Sequence, residues 1–205
     1  HDSFQSDPFF WGIKTIFTIH NLKFQGTWSV DTIKGFSGLS DYYFTSDKLE
    51  AYGNGNMLKG GLVYADRITT VSRSYASEIR MPFYGEGLDG LLRARSKQLS
   101  GIVNGIDYNV YNPKTDKDIA VNYSVEDVIK AKAANKTALQ KELGLEENPD
   151  AFMLGIVSRL TDQKGLDLVE CVLDQICAED VQLVVLGTGE GKYQDMFTYY
   201  SRKYP

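Results

Sequence analysis

The hydrophobic pattern is clearest in the C-terminal half of the chain, where an apolar run precedes apolar residues at helical spacing. Phe152 to Val157 contains no polar side chain, which is typical of a strand buried on both faces. Apolar residues then recur with the period of a helix, at Leu166, Val169, Val172, Leu173 and Ile176. The pattern therefore predicts a strand, a polar turn and a helix.

The turn between this strand and this helix carries two cations, Arg159 and Lys164. In an open α/β sheet, ligands bind at the carboxyl ends of strands, where a helix N-terminus adds free N–H groups and partial positive charge. An arginine can hold two phosphate oxygens with its planar group, while a lysine supplies a mobile point charge. The turn is thus predicted to bind a phosphate or diphosphate. The alternative is that both residues are solvated surface cations.

Strands and helices alternate along the rest of the chain. Further strands are predicted at 14–20, 67–71, 101–107 and 181–186. Further helices are predicted at 57–65, capped by Asn56, after a cap at Ser72 or Ser74, at 124–143 and at 193–200. The helix at 124–143 has a capping box of Ser124 and Asp127 at its start and Gly144 as its stop signal. Residues 22–56 lack sustained periodicity and predict a long irregular excursion. The alternation predicts an α/β architecture with parallel sheets, with a domain boundary near Gly101.

Polar and glycine residues mark two other strand ends. His20 and Asn21 follow the first strand; a single histidine there is most often structural, but Asn21 and the adjacent Phe24–Gly26 favour a polar ligand-binding cluster. Gly187 and Gly189 follow the strand at 181–186 on the same sheet edge as Arg159. They favour close backbone approach to a ligand, with a plain tight turn as the alternative.

Three other motifs are weaker than they look. Leu186–Lys192 spaces its glycines as G-x-G-x-G and is followed by Tyr193, so neither a dinucleotide fingerprint nor a P-loop fits. Asp116–Asp118 resembles a metal-binding D-x-D motif, but it lies away from any predicted strand end and predicts a solvated loop. Lys59–Leu62 resembles a phosphate-binding K-x-G-G-L loop, but it lies within a helical pattern and predicts packing.

Composition narrows the function classes. Of 205 residues, 42% are hydrophobic and the net charge is -5, which indicates a globular protein and argues against a nucleic-acid surface. Cys171 and Cys177 fall in one predicted helix without a Cys/His cluster, so reduced thiols and a cytoplasmic location are expected, with no metal site and no cofactor. No apolar run approaches the roughly 18 residues of a membrane span.

Several motifs, in order along nearly the whole chain, resemble the bacterial glycogen synthase and plant starch synthase family. They are Thr18–Leu22 with Gln25–Gly26, Leu62–Arg67 with Thr69–Ser72, Gly85–Gly90, Val103–Asp107, and Ser158–Gly165. The resemblance implies a GT-B glycosyltransferase with two Rossmann-like domains across a cleft. Such an enzyme moves glucose from ADP-glucose to the non-reducing end of an α-1,4-glucan or glycogen, with retention and without a metal.

The resemblance also implies roles for individual residues. His20 matches the active-site histidine that contacts the donor sugar, and Asn21 lies beside it. Arg159 and Lys164 match the pair on the donor diphosphate. Donor binding is further implied for Asn104, which matches an asparagine near the hinge, and for Gly187, Thr188 and Gly189, which match a loop near the nucleotide.

Two motifs of the family are missing, an N-terminal K-x-G-G-L loop and a C-terminal E-P-C-G-L segment. We therefore expect an internal piece of a longer protein. Residues 1–101 would be the later part of the N-terminal, acceptor-side domain, and residues 102–205 the earlier part of the C-terminal, nucleotide-sugar-binding domain, both incomplete. This piece is expected to show no transferase activity alone, and its uncovered sheet edges could lead to self-association.

Two alternatives remain open at the level of sequence. One is a different GT-B glycosyltransferase that uses a sugar nucleotide, and the other is a non-catalytic module that binds a sugar nucleotide or a glucan. The residues also leave open ADP-glucose against UDP-glucose, and the preferred length of the glucan.

Overall fold

The computed structural model describes Phe4 and residues 6–205. The chain separates into two compact units, His1–Ile106 (unit 1) and Asp107–Pro205 (unit 2). The division falls shortly after Gly101, near the boundary that the sequence predicted. Each unit contains a parallel sheet and several helices, which confirms the α/β fold class.

Strands and helices alternate in both units. The strands are β1 (Ile16–Ile19), β2 (Thr27–Trp28), β3 (Glu50–Ala51), β4 (Asn54–Asn56), β5 (Arg67–Thr70), β6 (Leu99–Gly101), β7 (Phe152–Val157) and β8 (Val181–Leu186). The helices are α1 (Val30–Ser37), α2 (Met57–Tyr64), α3 (Arg73–Glu78), α4 (Asp89–Ala94), α5 (Val128–Leu143), α6 (Leu166–Ala178) and α7 (Gly191–Lys203).

The main sheet of unit 1 consists of three parallel strands in the order β1-β5-β6. In β1 and β5, Ile16 pairs with Arg67 and Ile19 pairs with Thr70. The buried Thr70 hydroxyl donates a hydrogen bond to the Ile19 carbonyl at 2.8 Å, so it adds a side-chain link at the end of the ladder. β1 therefore ends at a fixed point, and the chain leaves the sheet at His20.

Helix α2 carries the K-x-G-G-L sequence and packs closely in unit 1. A Cβ atom on Gly60 would lie 3.0 Å from Leu49, and one on Gly61 would lie 2.2 Å from the ring of Phe17. Larger side chains at these positions would push the helix away. The prediction that this motif serves packing is confirmed.

Helix caps predicted from the sequence occur in both units. Asn56 accepts a hydrogen bond from the backbone of Lys59 at the start of α2, and Ser72 caps α3. Gly144 ends α5 in the left-handed conformation, with φ 70°, where glycine is favoured. The capping box at Ser124 forms only in part: Asp127 accepts from the Ser124 backbone at 2.7 Å, and the helix itself begins at Val128.

Two predictions of secondary structure are corrected. The excursion at 22–56 is not wholly irregular, because it contains α1, which Ser29 caps, and the small antiparallel sheet β2-β4-β3. Short elements of two or three residues carry too little periodicity to be detected. The strand expected at 101–107 lies earlier, at Leu99–Gly101, where it pairs with β5.

Unit 2 is built on two parallel strands, β7 and β8, which pair along their full length. Its hydrophobic core lies between this sheet and the helices α6 and α7. The core consists of Leu160, Leu166, Leu173, Tyr193 and Met196. Helix α5 is tied to β8 by Gln140, which donates a hydrogen bond to the side chain of Gln182 at 2.7 Å.

The prediction that β7 is buried on both faces is wrong within the described residues. Phe152 and Val157 are 65% and 80% exposed, and Leu186 at the end of β8 is 67% exposed. In β1, likewise, Ile16 is exposed and only Ile19 is buried. An apolar sequence alone does not bury a strand. Burial on both faces also needs a layer of other elements packed against each face of the sheet.

Candidate functional site

The turn after β7 is joined to the loop after β8 by backbone hydrogen bonds. Ser158 donates to the Leu186 carbonyl at 3.1 Å, and Leu160 donates to Thr188 at 2.9 Å. Glu190 in turn donates to the Leu160 carbonyl at 2.8 Å. The parallel pairing of β7 and β8 thus continues past both strand ends, which fixes the backbone on either side of Arg159.

Gly187 and Gly189 are required by this pairing. A Cβ atom on Gly187 would lie 1.9 Å from the Ser158 carbonyl oxygen, and one on Gly189 would lie 2.2 Å from that of Leu160. Backbone atoms cannot yield as a flexible side chain could. The close approach expected at these glycines is made by the protein's own turn, so their identity is explained without a ligand. Their role in donor binding stays a prediction.

Lys164 lies at the junction between the turn and α6. Residues Asp162–Lys164 form one turn of 3-10 helix, and Gly165 follows with φ 70°. Helix α6 then begins without a side-chain hydrogen bond at its cap. The predicted strand–turn–helix is confirmed, and a helix N-terminus without a side-chain cap can accept an anion.

Arg159 and Lys164 are both exposed. Within residue 4 and residues 6–205, neither side chain forms an ion pair or a hydrogen bond to another residue. Most surface cations share this exposure. What distinguishes these two is their place at a strand end, on a backbone held by the neighbouring loop, beside a helix N-terminus.

A cluster that the sequence did not predict lies next to Lys164. The Asp162 carboxylate accepts hydrogen bonds from the Lys192 ammonium at 2.7 Å and from the Tyr193 hydroxyl. Lys192 also lies 3.7 Å from a carboxylate oxygen of Glu190. Donation to Asp162 holds the pKa of Lys192 above its usual range and also raises the pKa of Tyr193. We call these four residues the Asp162 cluster.

The signal for this cluster was present but ambiguous. Lys192 stood out only as a false P-loop lysine, and Tyr193 only as a member of the apolar face of α7. Their partner is 30 residues away in sequence from Lys192. Pairing across that separation depends on the fold, so local patterns could not reveal it.

In unit 1, His20 is exposed immediately after β1, and Asn21 beside it is half-buried. The Asn21 side chain accepts a hydrogen bond from the Lys23 backbone at 3.0 Å, which holds a local turn. The backbone of Leu22 donates to the Tyr75 hydroxyl at 3.0 Å. The segment that carries His20 is therefore fixed at the carboxyl edge of the sheet, as predicted from the sequence.

A second loop in unit 1 is tied to this segment. Gln25 donates a hydrogen bond to the Glu86 carbonyl at 2.8 Å, and Tyr52 donates to the Gly87 carbonyl at 3.0 Å. Glu86 and Tyr52 both have positive φ, 46° and 54°, which is uncommon for residues with a side chain. The loop at 85–90 is thus held in a strained conformation beside the residues that follow His20.

The remaining candidates have few contacts. Asn104 and Thr188 are exposed, and no strand end positions Asn104. In the D-x-D motif, Asp116 accepts a hydrogen bond from the Asp118 backbone at 2.9 Å, as in a local turn. Across the described residues, no group of three His, Cys, Asp or Glu side chains could hold a metal ion. In the same part of the chain, no helix has the length and apolar character needed to cross a membrane.

Comparison with known proteins shows which enzymes this chain is similar to. Residues 1–94 match the model of the starch synthase catalytic domain. The chain is 64% identical over 203 residues to a glycogen synthase of Lachnospira eligens, a match that covers 99% of this chain and 42% of that protein. It is 60% identical over 204 residues to a glycogen synthase of Lachnoclostridium phytofermentans, covering 100% of this chain and 43% of the relative.

A solved structure agrees with these matches. The catalytic domain of starch synthase IV from Arabidopsis thaliana, bound to ADP and acarbose, is similar with a TM-score of 0.85 and 30% sequence identity. The similarity covers 96% of this chain and 43% of the plant chain. The chain thus spans about two-fifths of the length of these relatives. Over the segment that it spans, the chain is similar in sequence to bacterial glycogen synthases and in sequence and fold to a plant starch synthase.

Proposed function

We propose that this chain carries donor-binding residues of a glycogen synthase. The reaction is transfer of glucose from ADP-glucose to the non-reducing end of an α-1,4-glucan, with retention and without a metal. The observation that supports it best is the position of Arg159 and Lys164. Both are exposed, and neither is paired with another described residue. They stand at the end of β7 where α6 begins without a side-chain cap.

The chemistry proposed for these cations is stabilisation of the leaving diphosphate. Negative charge on ADP grows as the bond to glucose breaks, and fixed positive groups lower the energy of that state. Arg159 would hold two oxygens with its planar group, and Lys164 would add a mobile point charge. The N-terminus of α6 would contribute its partial positive charge. The relative from Arabidopsis bound to ADP supports a donor that carries a diphosphate.

Other residues are proposed to complete the donor contacts. His20 would hold the donor sugar and stabilise positive character at the anomeric carbon, with Asn21 beside it. Asn104 and Thr188, with the two glycines of the β8 loop, would contact the donor through polar side chains and backbone. These roles rest on the matches to the family motifs and on the fixed strand ends that carry His20 and Arg159.

A chimaera provides the test. The 205 residues replace the matching segment of the Lachnospira eligens protein, which is 64% identical, and incorporation of radiolabelled glucose into glycogen is measured. We expect transfer from ADP-glucose at a rate near that of the unmodified relative. The 205-residue chain alone, assayed in parallel, is expected to be inactive.

The alternatives give different results in the same assay. A folded chimaera that binds ADP-glucose but transfers no label would indicate a binding module. Transfer from UDP-glucose alone would indicate a different glycosyltransferase. Either outcome would overturn the proposal.

A further inference from the structure

The Asp162 cluster places a negative charge in the turn that holds the proposed diphosphate cations. Asp162 is two residues from Lys164 in the same 3-10 turn, and its side chain is 57% exposed. A bare carboxylate there would oppose an anionic ligand through a repulsion that is only partly screened by water. Binding of an anion at this turn is therefore favoured only if the negative charge of Asp162 is neutralised by a partner.

Lys192 is that partner. Its ammonium lies 2.7 Å from Asp162, and its side chain is also 57% exposed. Ion pairs this exposed contribute little to stability, so stabilisation of the fold is a poor account of the contact. The buried Tyr193, 1% exposed, donates its hydroxyl to the same carboxylate oxygen. Asp162 is thus held from the core side by Tyr193 and neutralised from the solvent side by Lys192.

The Asp162 backbone belongs to the same arrangement. Its N–H faces a carboxylate oxygen of Glu190 at 3.4 Å, and its carbonyl accepts from the Gly165 N–H at 2.9 Å. Asp162 therefore links the loop after β8 to the residue that starts α6. Lys164 lies between Asp162 and Gly165, inside the turn that the second of these bonds closes.

We propose that Lys192 is a positioning residue of the Arg159/Lys164 site, which cancels the charge of Asp162 and helps to hold its turn without contacting the diphosphate. The inference rests on the proposed function, because it assigns Lys192 a task at that site. The inference distinguishes two roles for a cation near a phosphate, direct contact and an effect through a neighbouring carboxylate. Arg159 and Lys164 would touch the ligand, whereas Lys192 would act through Asp162.

The test is binding of ADP to the 205-residue chain, followed by NMR chemical shifts, which report weak affinities. Removal of the positive charge in Lys192→Met should weaken ADP binding about threefold to tenfold through the exposed charge of Asp162. In Asp162→Asn/Lys192→Met, affinity should return to within about twofold of the original. The amide oxygen of the asparagine can still accept from Tyr193. Asp162→Asn alone should bind ADP at least as tightly as the unmodified chain.

Lys203→Met is the matched control, because Lys203 forms the same kind of ion pair with Asp174 in unit 2 and should leave ADP affinity unchanged. If the double variant binds ADP as weakly as Lys192→Met does, Lys192 contacts the ligand directly. Weaker binding by Asp162→Asn alone would show that the cluster is merely structural. Either result would overturn the inference.

Lys164→Ala distinguishes failure of this inference from failure of the proposed function. If Lys164→Ala leaves ADP affinity unchanged, or if the unmodified chain does not bind ADP, the proposed function fails. If Lys164→Ala weakens binding but Lys192→Met does not, only the inference fails. The chimaera gives a second readout, in which Lys192→Met should raise KM for ADP-glucose and the double variant should restore it.

Discussion

Replacement of either proposed diphosphate cation should reduce catalysis much more than it reduces stability. Arg159 and Lys164 are exposed and make no ion pair within the described residues. Substitutions at such positions change the free energy of unfolding by about 0.5 kcal/mol or less. A charge-assisted hydrogen bond to a diphosphate, in contrast, is worth roughly 1.5 to 3 kcal/mol. Each alanine variant should therefore lower turnover by a factor of about 10 to about 150.

The assay measures kcat and KM of the chimaera with ADP-glucose and glycogen, together with the thermal unfolding midpoint of each variant. Lys141→Ala and Arg202→Ala are matched controls, because both residues are exposed cations of unit 2 and neither belongs to the turn. They remove the same charge from the same unit. Their turnover should stay within about twofold of the unmodified chimaera, as expected for distant surface charges screened by salt.

Three results would refute this reasoning. Near-normal turnover in both Arg159→Ala and Lys164→Ala would mean that they are ordinary solvated cations, the alternative that the sequence left open. Equal losses in the control variants would mean that net charge matters, rather than contacts at the turn. A large drop in the unfolding midpoint would instead assign the two cations to folding.

Three further predictions concern other parts of the chain. His20→Ala in the chimaera should lower kcat with little change in ADP affinity, because its proposed contact is with the sugar; weaker ADP binding with intact kcat would contradict this role. Gly189→Ala should destabilise the chain by about 1 to 3 kcal/mol in urea unfolding, since its Cβ would lie 2.2 Å from a carbonyl oxygen. Gly191→Ala is the control and should be near neutral, because a Cβ at Gly191 would have nothing within 4 Å. Hydrogen bonding by Lys203 lowers the pKa of Asp174 from 3.8. The ionised Asp174 carboxylate therefore stabilises the fold above pH 3.8, and this contribution is lost on acidification below it. Asp174→Asn should flatten the pH dependence of the unfolding midpoint in that acidic range.

Much of the architecture could be predicted because its determinants are local. The apolar run of β7 and the helical spacing of α6 each fall within one short window. The caps at Asn56, Ser72 and Gly144 depend on one or two neighbouring residues. These signals also place Arg159 and Lys164 in a turn, because the turn is simply what separates the two periodic segments.

The features that the sequence did not give depend on distant residues. Exposure of Phe152 and Val157 depends on which layers cover β7, and an apolar composition does not report that. The glycines of the β8 loop look like a ligand-binding loop until the turn after β7 is seen to occupy the space beside them. The Asp162 cluster joins residues of α7 to the basic turn. In each case the missing information is a contact between segments far apart in sequence.

The backbone links around the turn explain how exposed cations could take part in catalysis. Catalytic groups must be held close to the productive geometry, yet exposed arginine and lysine side chains are flexible. Here the bonds from Ser158 and Leu160 to the β8 loop fix the backbone around Arg159, and the contacts of Asp162 fix the turn that carries Lys164. Only side-chain freedom then remains to be lost when a ligand binds. Rigidity of the turn, rather than burial of the cations, is thus what would let this site hold a diphosphate in one geometry.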